Sequence, residues 1–368
     1  MKVLFNTGHI YLHGGIEKSI TERANYFVKQ PGYEVFILTT EQQKKAPRYE
    51  LDSNIKLLDL GINYNRKKSY LTFGNLKKAI THYRLQKKIF HKIKPDIILS
   101  PNFNFDHYWL PFIKNEATLI KERHNSIYKP HGLNKEKSFI KKTKQKFDAW
   151  IDKKYDHVVV LNQDEKDYTK GSNAVLIPNG VEKTSLTAPM ENNTVIAAGR
   201  LAPVKRFEEL IAIWKTIHKK FPDWELHIYG QDYLNTKKQL KAQIKSLGLQ
   251  HTVFLKHSVN NLPEVMQEYS VLAMTSETEC FPTVLLEALS VGLPIVSYDC
   301  PTGPRHIISD QKDGFLVEYN NREEFVIALS TMIQNKELRK KMGFAAKQNV
   351  ERFQNEKVFD KWLDLFNQ

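Results

Sequence analysis

The sequence predicts an α/β protein built from two doubly wound domains in tandem. Short apolar runs, suited to strands buried on both faces, alternate with amphipathic stretches of helical period. The alternation restarts near the middle of the chain. A length of 368 residues also exceeds what one hydrophobic core usually fills.

The first half gives strands at 3–6, 35–39, 97–100, 118–121 and 158–161. Gly14-Gly15 follows the first of these, and an amphipathic helix is expected over 16–30. The second half gives strands at 194–198, 225–229, 253–255, 271–274 and 294–297. Helices are expected over 207–221, 236–246, 262–269, 282–290 and 322–335. Ile177-Pro178-Asn179-Gly180 is a turn-forming cluster and marks the seam. The domains are therefore placed at 1–178 and 179–349. A last amphipathic helix, 350–366, should bury Phe353, Val358, Trp362 and Phe366 and cross back with the tail 350–368 to brace the first domain. Two such sheets would face each other across a cleft, with ligands beyond the carboxyl ends of the strands.

Charge is one-sided. Residues 1–178 hold 32 Lys+Arg against 18 Asp+Glu, and the remainder holds 23 against 23. The whole net charge of +14 thus sits in the first domain, where it would attract an anionic partner. The two cysteines, Cys280 and Cys300, make no disulfide framework and suit a reducing compartment. The N-terminal apolar run is too short for a signal peptide, and no stretch nears the ~20 apolar residues that span a bilayer. A cytoplasmic protein with peripheral membrane contact is expected. Nucleic acid is not expected as a partner, because no recognised motif or stacking platform accompanies the charge.

Two segments carry chemistry. Ser276-Glu277-Thr278-Glu279-Cys280-Phe281-Pro282-Thr283 leads from a strand into a helix that contains Glu287. Exposed amides at such a helix start favour an anion. By itself the Glu279/Glu287 spacing does not separate a site from solvated charges. Gly199-Arg200-Leu201-Ala202-Pro203-Val204-Lys205 follows the first strand of the second domain, and Arg200 and Lys205 suit a pyrophosphate there.

With Gly14-Gly15, the Gly-Arg…Lys loop, Glu-x7-Glu, and the run Gly292-Leu293-Pro294 to Asp299-Cys300-Pro301-Thr302-Gly303-Pro304 in this order, the chain resembles glycosyltransferase family 4 over essentially its whole length. The resemblance implies a GT-B fold of two Rossmann-like domains and a retaining transfer of a hexose or N-acetylhexosamine from a nucleotide-sugar. It implies that Arg200 and Lys205 hold the donor diphosphate and that Glu279 binds hydroxyls of the sugar. Cys280, Phe281, Pro282 and Thr283 would support sugar and phosphate through their amides. Glu287 would bind the ribose, and Gly14 and Gly15 would let the backbone approach the donor. His124, in Lys121-Glu122-Arg123-His124-Asn125, stands where the family often carries a histidine near the donor sugar; a core histidine is the alternative, with Glu122 and Arg123 pairing to shape the loop. No metal and no cofactor are expected: no Asp-x-Asp of suitable context or His/Cys cluster is present, and Arg200 and Lys205 would take a divalent cation's place.

The Asp-Cys-Pro-x-Gly-Pro stretch is similar to that of bacterial transferases that extend lipid-linked glycans or surface polysaccharides, often from UDP-sugars. The base would sit near 253–257. Segments 75–94 and 135–146 mix lysines with apolar residues and predict docking on an anionic membrane surface at its inner face. Two other readings use the same fold: a nucleotide-sugar epimerase or soluble synthase, and a non-catalytic sugar-nucleotide-binding subunit. The one-sided charge argues against the former and the presence of Arg200, Lys205, Glu279 and Glu287 against the latter.

Overall fold

The computed structural model describes all residues except 13, 102, 103, 127–138, 170 and 172. It divides into two compact units. One comprises Met1–His124, the described residues from Phe139 to Ile177, and Phe359–Gln368; the other contains Asn125, Ser126 and Pro178–Val358.

The first unit is built on a parallel sheet of seven strands: β1 (Lys2–Thr7), β2 (Glu34–Thr39), β3 (Lys56–Asp59), β4 (Ile97–Ser100), β5 (Thr118–Arg123), β6 (His157–Val160) and β7 (Ala174–Leu176). Their order is β3-β2-β1-β4-β5-β6-β7. The second is built on a parallel sheet of six: β8 (Thr194–Ala198), β9 (Glu225–Tyr229), β10 (Val253–Lys256), β11 (Val271–Met274), β12 (Ile295–Tyr298) and β13 (Gly314–Val317), in the order β10-β9-β8-β11-β12-β13. Strand order reverses between β1 and β4 and again between β8 and β11. Such switch points leave a crevice beyond the strand ends. Central strands such as β11 and β12 are buried along their whole length. In the second unit Trp214 is fully buried among Leu210, Ile213 and Ile217. In the first, Leu4, Phe90, Ile98 and Leu119 anchor the core.

Two features differ from the sequence reading. Strands β3, β7 and β13 were not expected; each lies at a sheet edge, where a short, half-covered strand gives little apolar signal. The helix expected over 350–366 is broken. A helix ends at Val350, a short turn covers Glu351–Phe353, and a new helix runs Asn355–Phe366. The break has a cause: the Val181 amide donates to the Phe353 carbonyl at 2.9 Å, and the Asn355 amide donates to the Val181 carbonyl at 2.9 Å. Phe353, Val358, Trp362 and Phe366 are all buried.

The helix Phe73–Ile93 covers the lysine-rich segment 75–94. Its buried side carries Asn75, His82 and Gln86 along with Ala79, Phe90 and Ile93. Gln86 Nε2 donates to Asn6 Oδ1 (2.8 Å) and Asp106 Oδ2 (2.9 Å), while Trp109 Nε1 donates to Gln86 Oε1 (2.7 Å). Of the apolar residues in segment 75–94, Leu76, Ile80, Tyr83 and Leu85 are exposed, while Phe90 and Ile93 are buried. Hydrogen bonds to buried Asp106 therefore set which face of this helix turns inward.

A second buried polar group surrounds His107. Its Nδ1 meets the Tyr155 hydroxyl at 3.0 Å, and its Nε2 lies 3.6 Å from Asp152, which also takes Lys121 and Arg123. Burial and then the Lys121 charge push the His107 ring down to about 4. The unfolded chain, with its histidine near ~6.5, then binds more protons than the native one between the two values. Stability contributed by neutral His107 is present above ~6.5 and lost as pH falls toward ~4. Denaturant unfolding should show that His107→Gln removes about 2 kcal/mol of the stability lost between pH 7 and pH 5. An unchanged pH dependence would contradict this.

Candidate active site

The second unit gathers three loops at the carboxyl ends of β8, β11 and β12. Thr275 Oγ1 donates to the Arg206 carbonyl at 3.0 Å, and the Glu277 amide donates to the Val204 carbonyl at 2.8 Å. On the other side the Glu279 amide donates to the Pro301 carbonyl (2.8 Å). The Thr302 and Gly303 amides donate back to the Glu279 carbonyl at 2.6 and 2.8 Å. Loop 275–283 is thus tied along its backbone to both neighbours. Gly303 makes the approach possible: a Cβ there would lie 2.6 Å from the Cys280 carbonyl oxygen and 2.8 Å from Pro282.

This stitching brings Lys205 Nζ to 2.5 Å from Glu279 Oε1. Lys205 follows β8 and Glu279 follows β11, so the pair flanks the switch point of the second sheet. Gly199 lies beneath the lysine stem, where a Cβ would meet Lys205 Cε at 3.2 Å. An ammonium has three donors, so Lys205 can keep Glu279 and still donate to an anion.

Arg200 is not part of that pair. It is exposed, and its guanidinium sits 4.9 Å from the Tyr233 ring centroid. Cys280, Phe281 and Pro282 are buried, while Thr283 is half-buried and opens the helix Thr283–Ser290. Pro282 caps this helix instead of forming its first turn. Glu287 is buried in the helix, little more than one turn from its start. Two contributors were missed in the sequence. Asn179 of the seam cluster donates from Nδ2 to the Phe281 carbonyl at 2.9 Å, and Phe353 packs edge-on against the Phe281 ring at 5.4 Å. Asn179 reads as a turn former, and nothing local reveals a partner a hundred positions away.

In the first unit, Gly14 caps the helix Gly15–Phe27. A Cβ on Gly14 would collide with the Glu17 carboxylate, which lies over the helix start and 3.4 Å from His9 Nδ1. Gly15 is exposed at the first helical position. His124 lies just past β5, with Nε2 at 2.9 Å from Glu122 Oε2. Glu122 and Arg123 do not pair: Arg123 bonds Asp152 and Thr169, while Glu122 accepts Arg23 Nη2 at 2.8 Å. Strand alternation explains it, because residues 122 and 124 share a face and 123 points away. Arg23 and His124 hold the Glu122 carboxyl below its usual range, against the opposing effect of burial. Among the described residues, no group of three or more His, Cys, Asp or Glu is arranged to hold a metal ion.

The model of the "Glycosyltransferase Family 4" family matches residues 13–184, and that of "Glycosyl transferases group 1" matches residues 180–349. The chain belongs to the family 4 type of glycosyltransferase. It has their GT-B fold of two Rossmann-like units. It is 27% identical over 371 aligned residues to an uncharacterized glycosyltransferase of Haemophilus influenzae, covering 99% of each chain. It is 33% identical to the amylovoran biosynthesis glycosyltransferase AmsD of Erwinia amylovora over 57% of this chain and 62% of that protein. Its structure is similar to crystalline S. aureus TarM in complex with UDP, α-GlcNAc-glycerol and fondaparinux, with a TM-score of 0.79, 18% identity and complete coverage of both chains.

The tight approach of Gly303 sets a direct check. Gly303→Ala should force loop 279–283 to shift and cost about 1–3 kcal/mol, read as a lowered melting temperature. Unchanged melting would contradict the backbone contact.

Proposed function

We propose that this glycosyltransferase moves a hexose or N-acetylhexosamine from a UDP-sugar to a lipid-linked or polysaccharide acceptor in bacterial surface glycan assembly, with retention and without a metal ion. The observation that carries the reading is the Lys205–Glu279 contact at the switch point of the second sheet. In it, Lys205 and Arg200 neutralise the departing diphosphate, Arg200 by swinging from Tyr233. Glu279 orients the sugar through its hydroxyls, Glu287 takes the ribose, and the amides of 280–283 support sugar and phosphate. Gly14 and Gly15 admit the donor, and His124 meets the transferred sugar. As charge leaves with the nucleotide, the sugar becomes oxocarbenium-like. The acceptor hydroxyl attacks from the same face and gives its proton to the leaving phosphate oxygen, so no protein nucleophile is required. The UDP bound in TarM and the amylovoran role of AmsD support donor and pathway.

Lys205→Ala should lower kcat/KM about 100-fold or more in a UDP-release assay with wild-type melting, and EDTA should leave transfer unchanged. Loss of transfer in EDTA would overturn the metal-free part. Full activity of Lys205→Ala would overturn the assignment of the site.

The same reading places the enzyme on the inner membrane surface. On the helix Phe73–Ile93 the exposed Phe73, Leu76, Ile80 and Tyr83 form one stripe, next to Lys77, Arg84, Lys87 and Lys88. A second exposed group, Phe112, Phe147 and Trp150, stacks with ring distances of 6.4 and 5.8 Å, and Lys154 lies 5.4 Å from Trp150. Phe147 and Trp150 follow directly on segment 135–146, whose residues 135–138 lie outside the described ones. Apolar stripes edged with lysine suit an anionic leaflet. No helix among the described residues is long and apolar enough to cross a membrane. In flotation, anionic vesicles should retain the enzyme and about 0.5 M salt should release it; Phe73→Ser with Ile80→Ser should weaken retention. Equal binding to neutral vesicles would contradict an electrostatic surface.

A further inference from the structure

The His124 ring is held by a chain of buried groups that reaches the last helix. Arg23 and Glu122 side chains are 2% and 1% exposed and meet at 2.8 Å. The same carboxylate oxygen, Oε2, lies 2.9 Å from His124 Nε2. Behind it, the Arg23 guanidinium sits 4.6 Å from the Trp362 ring and 5.6 Å from Phe5, and Arg23 Nε donates to the Ser19 carbonyl at 3.2 Å. Trp362 belongs to the helix Asn355–Phe366 and is buried.

A buried ion pair is weak evidence of a stabilising role, since desolvation offsets much of the attraction. This one is also incompletely satisfied: Glu122 Oε1 and Arg23 Nη1 are buried without a hydrogen-bond partner. What the arrangement does achieve is directional. An ionised carboxylate only accepts hydrogen bonds, so the nitrogen facing it must carry the proton. In the neutral ring the other nitrogen is then an acceptor.

We propose that Glu122, held by Arg23 and backed by Trp362, is a positioning residue for His124: it fixes the Nε2–H tautomer and leaves Nδ1 to accept a hydrogen bond from a substrate hydroxyl. The proposal rests on the transferase reading for its kinetic consequence, but not for the tautomer itself. Trp362 of the last helix covers the arginine that holds the carboxylate.

Two measurements test it. In 15N-histidine-labelled wild-type protein, long-range 1H–15N spectra at alkaline pH should show His124 protonated on Nε2. An Nδ1–H ring would overturn the proposal, whether or not any variant folds. Kinetically, Glu122→Gln should lower kcat about tenfold or more with UDP affinity unchanged. The loss should largely vanish in a His124→Gln background, since both changes break the same link. Arg23→Lys should retain more activity than Arg23→Met. An equal Glu122→Gln loss with and without His124 would show a structural role and overturn the proposal. Wild-type protein that neither binds UDP nor transfers sugar would instead defeat the transferase reading, leaving the tautomer result standing.

Discussion

Everything proposed for the second unit depends on backbone hydrogen bonds between loops, with the side-chain ion pair as their consequence. Glu279 shares its amide and carbonyl with the 301–303 loop, while Glu277 and Thr275 are tied to 204–206. These bonds cost little in side-chain entropy, because the groups are already fixed by the strands on which they end. They fix where Glu279 stands relative to Lys205. A lysine has a long, flexible stem, and an isolated surface contact with a carboxylate contributes about 0–1 kcal/mol. Here the carboxylate is placed first and the ammonium comes to it over Gly199, whose φ of +153° is one that side-chain-bearing residues rarely adopt. The result is a preset donor at the mouth of the sheet, the arrangement that electrostatic stabilisation of a leaving diphosphate requires.

The first unit follows the same logic with buried groups. Asp106 draws Asn6 and Gln86 inward, and Glu122 draws Arg23 and His124. Each carboxylate sits near strand ends and orders elements distant in sequence. On the helix Phe73–Ile93, Gln86 is satisfied inside while an apolar stripe faces outward. The inward face also carries Ala79, Phe90 and Ile93, and turning Gln86 outward would take a partner from each of buried Asn6 and Asp106, at about 1–3 kcal/mol for each group left unpaired.

Much of the fold was legible in the sequence, for a reason particular to parallel sheets. Strands covered on both faces, such as Val271–Met274 and Ile295–Tyr298, must be apolar throughout, and they stand out between amphipathic helices. Edge strands Lys56–Asp59 and Ala174–Leu176 escape because one side needs no cover. For the site, motif order pointed to Lys205 and Glu279 but not to their contact, which spans 74 positions and is made by loops without periodicity. The stacking of Arg200 on Tyr233 is a choice between two surface loops, and composition does not record it. Arg23 sits in an amphipathic helix and reads as one more solvated cation. Its partner Glu122 lies 99 positions away and only the assembled sheet brings them together. Periodicity reports that a face exists; partners decide which way it turns.

The central claim is that Lys205, held beside Glu279, receives the phosphates of the donor nucleotide. A crystal structure of the protein soaked with UDP tests it most directly. The account predicts a phosphate oxygen within hydrogen-bond distance of Lys205 Nζ, with loop 275–283 still tied to its two neighbours. A well-ordered nucleotide whose phosphates lie elsewhere, with Lys205 still bonded to Glu279 alone, would contradict it.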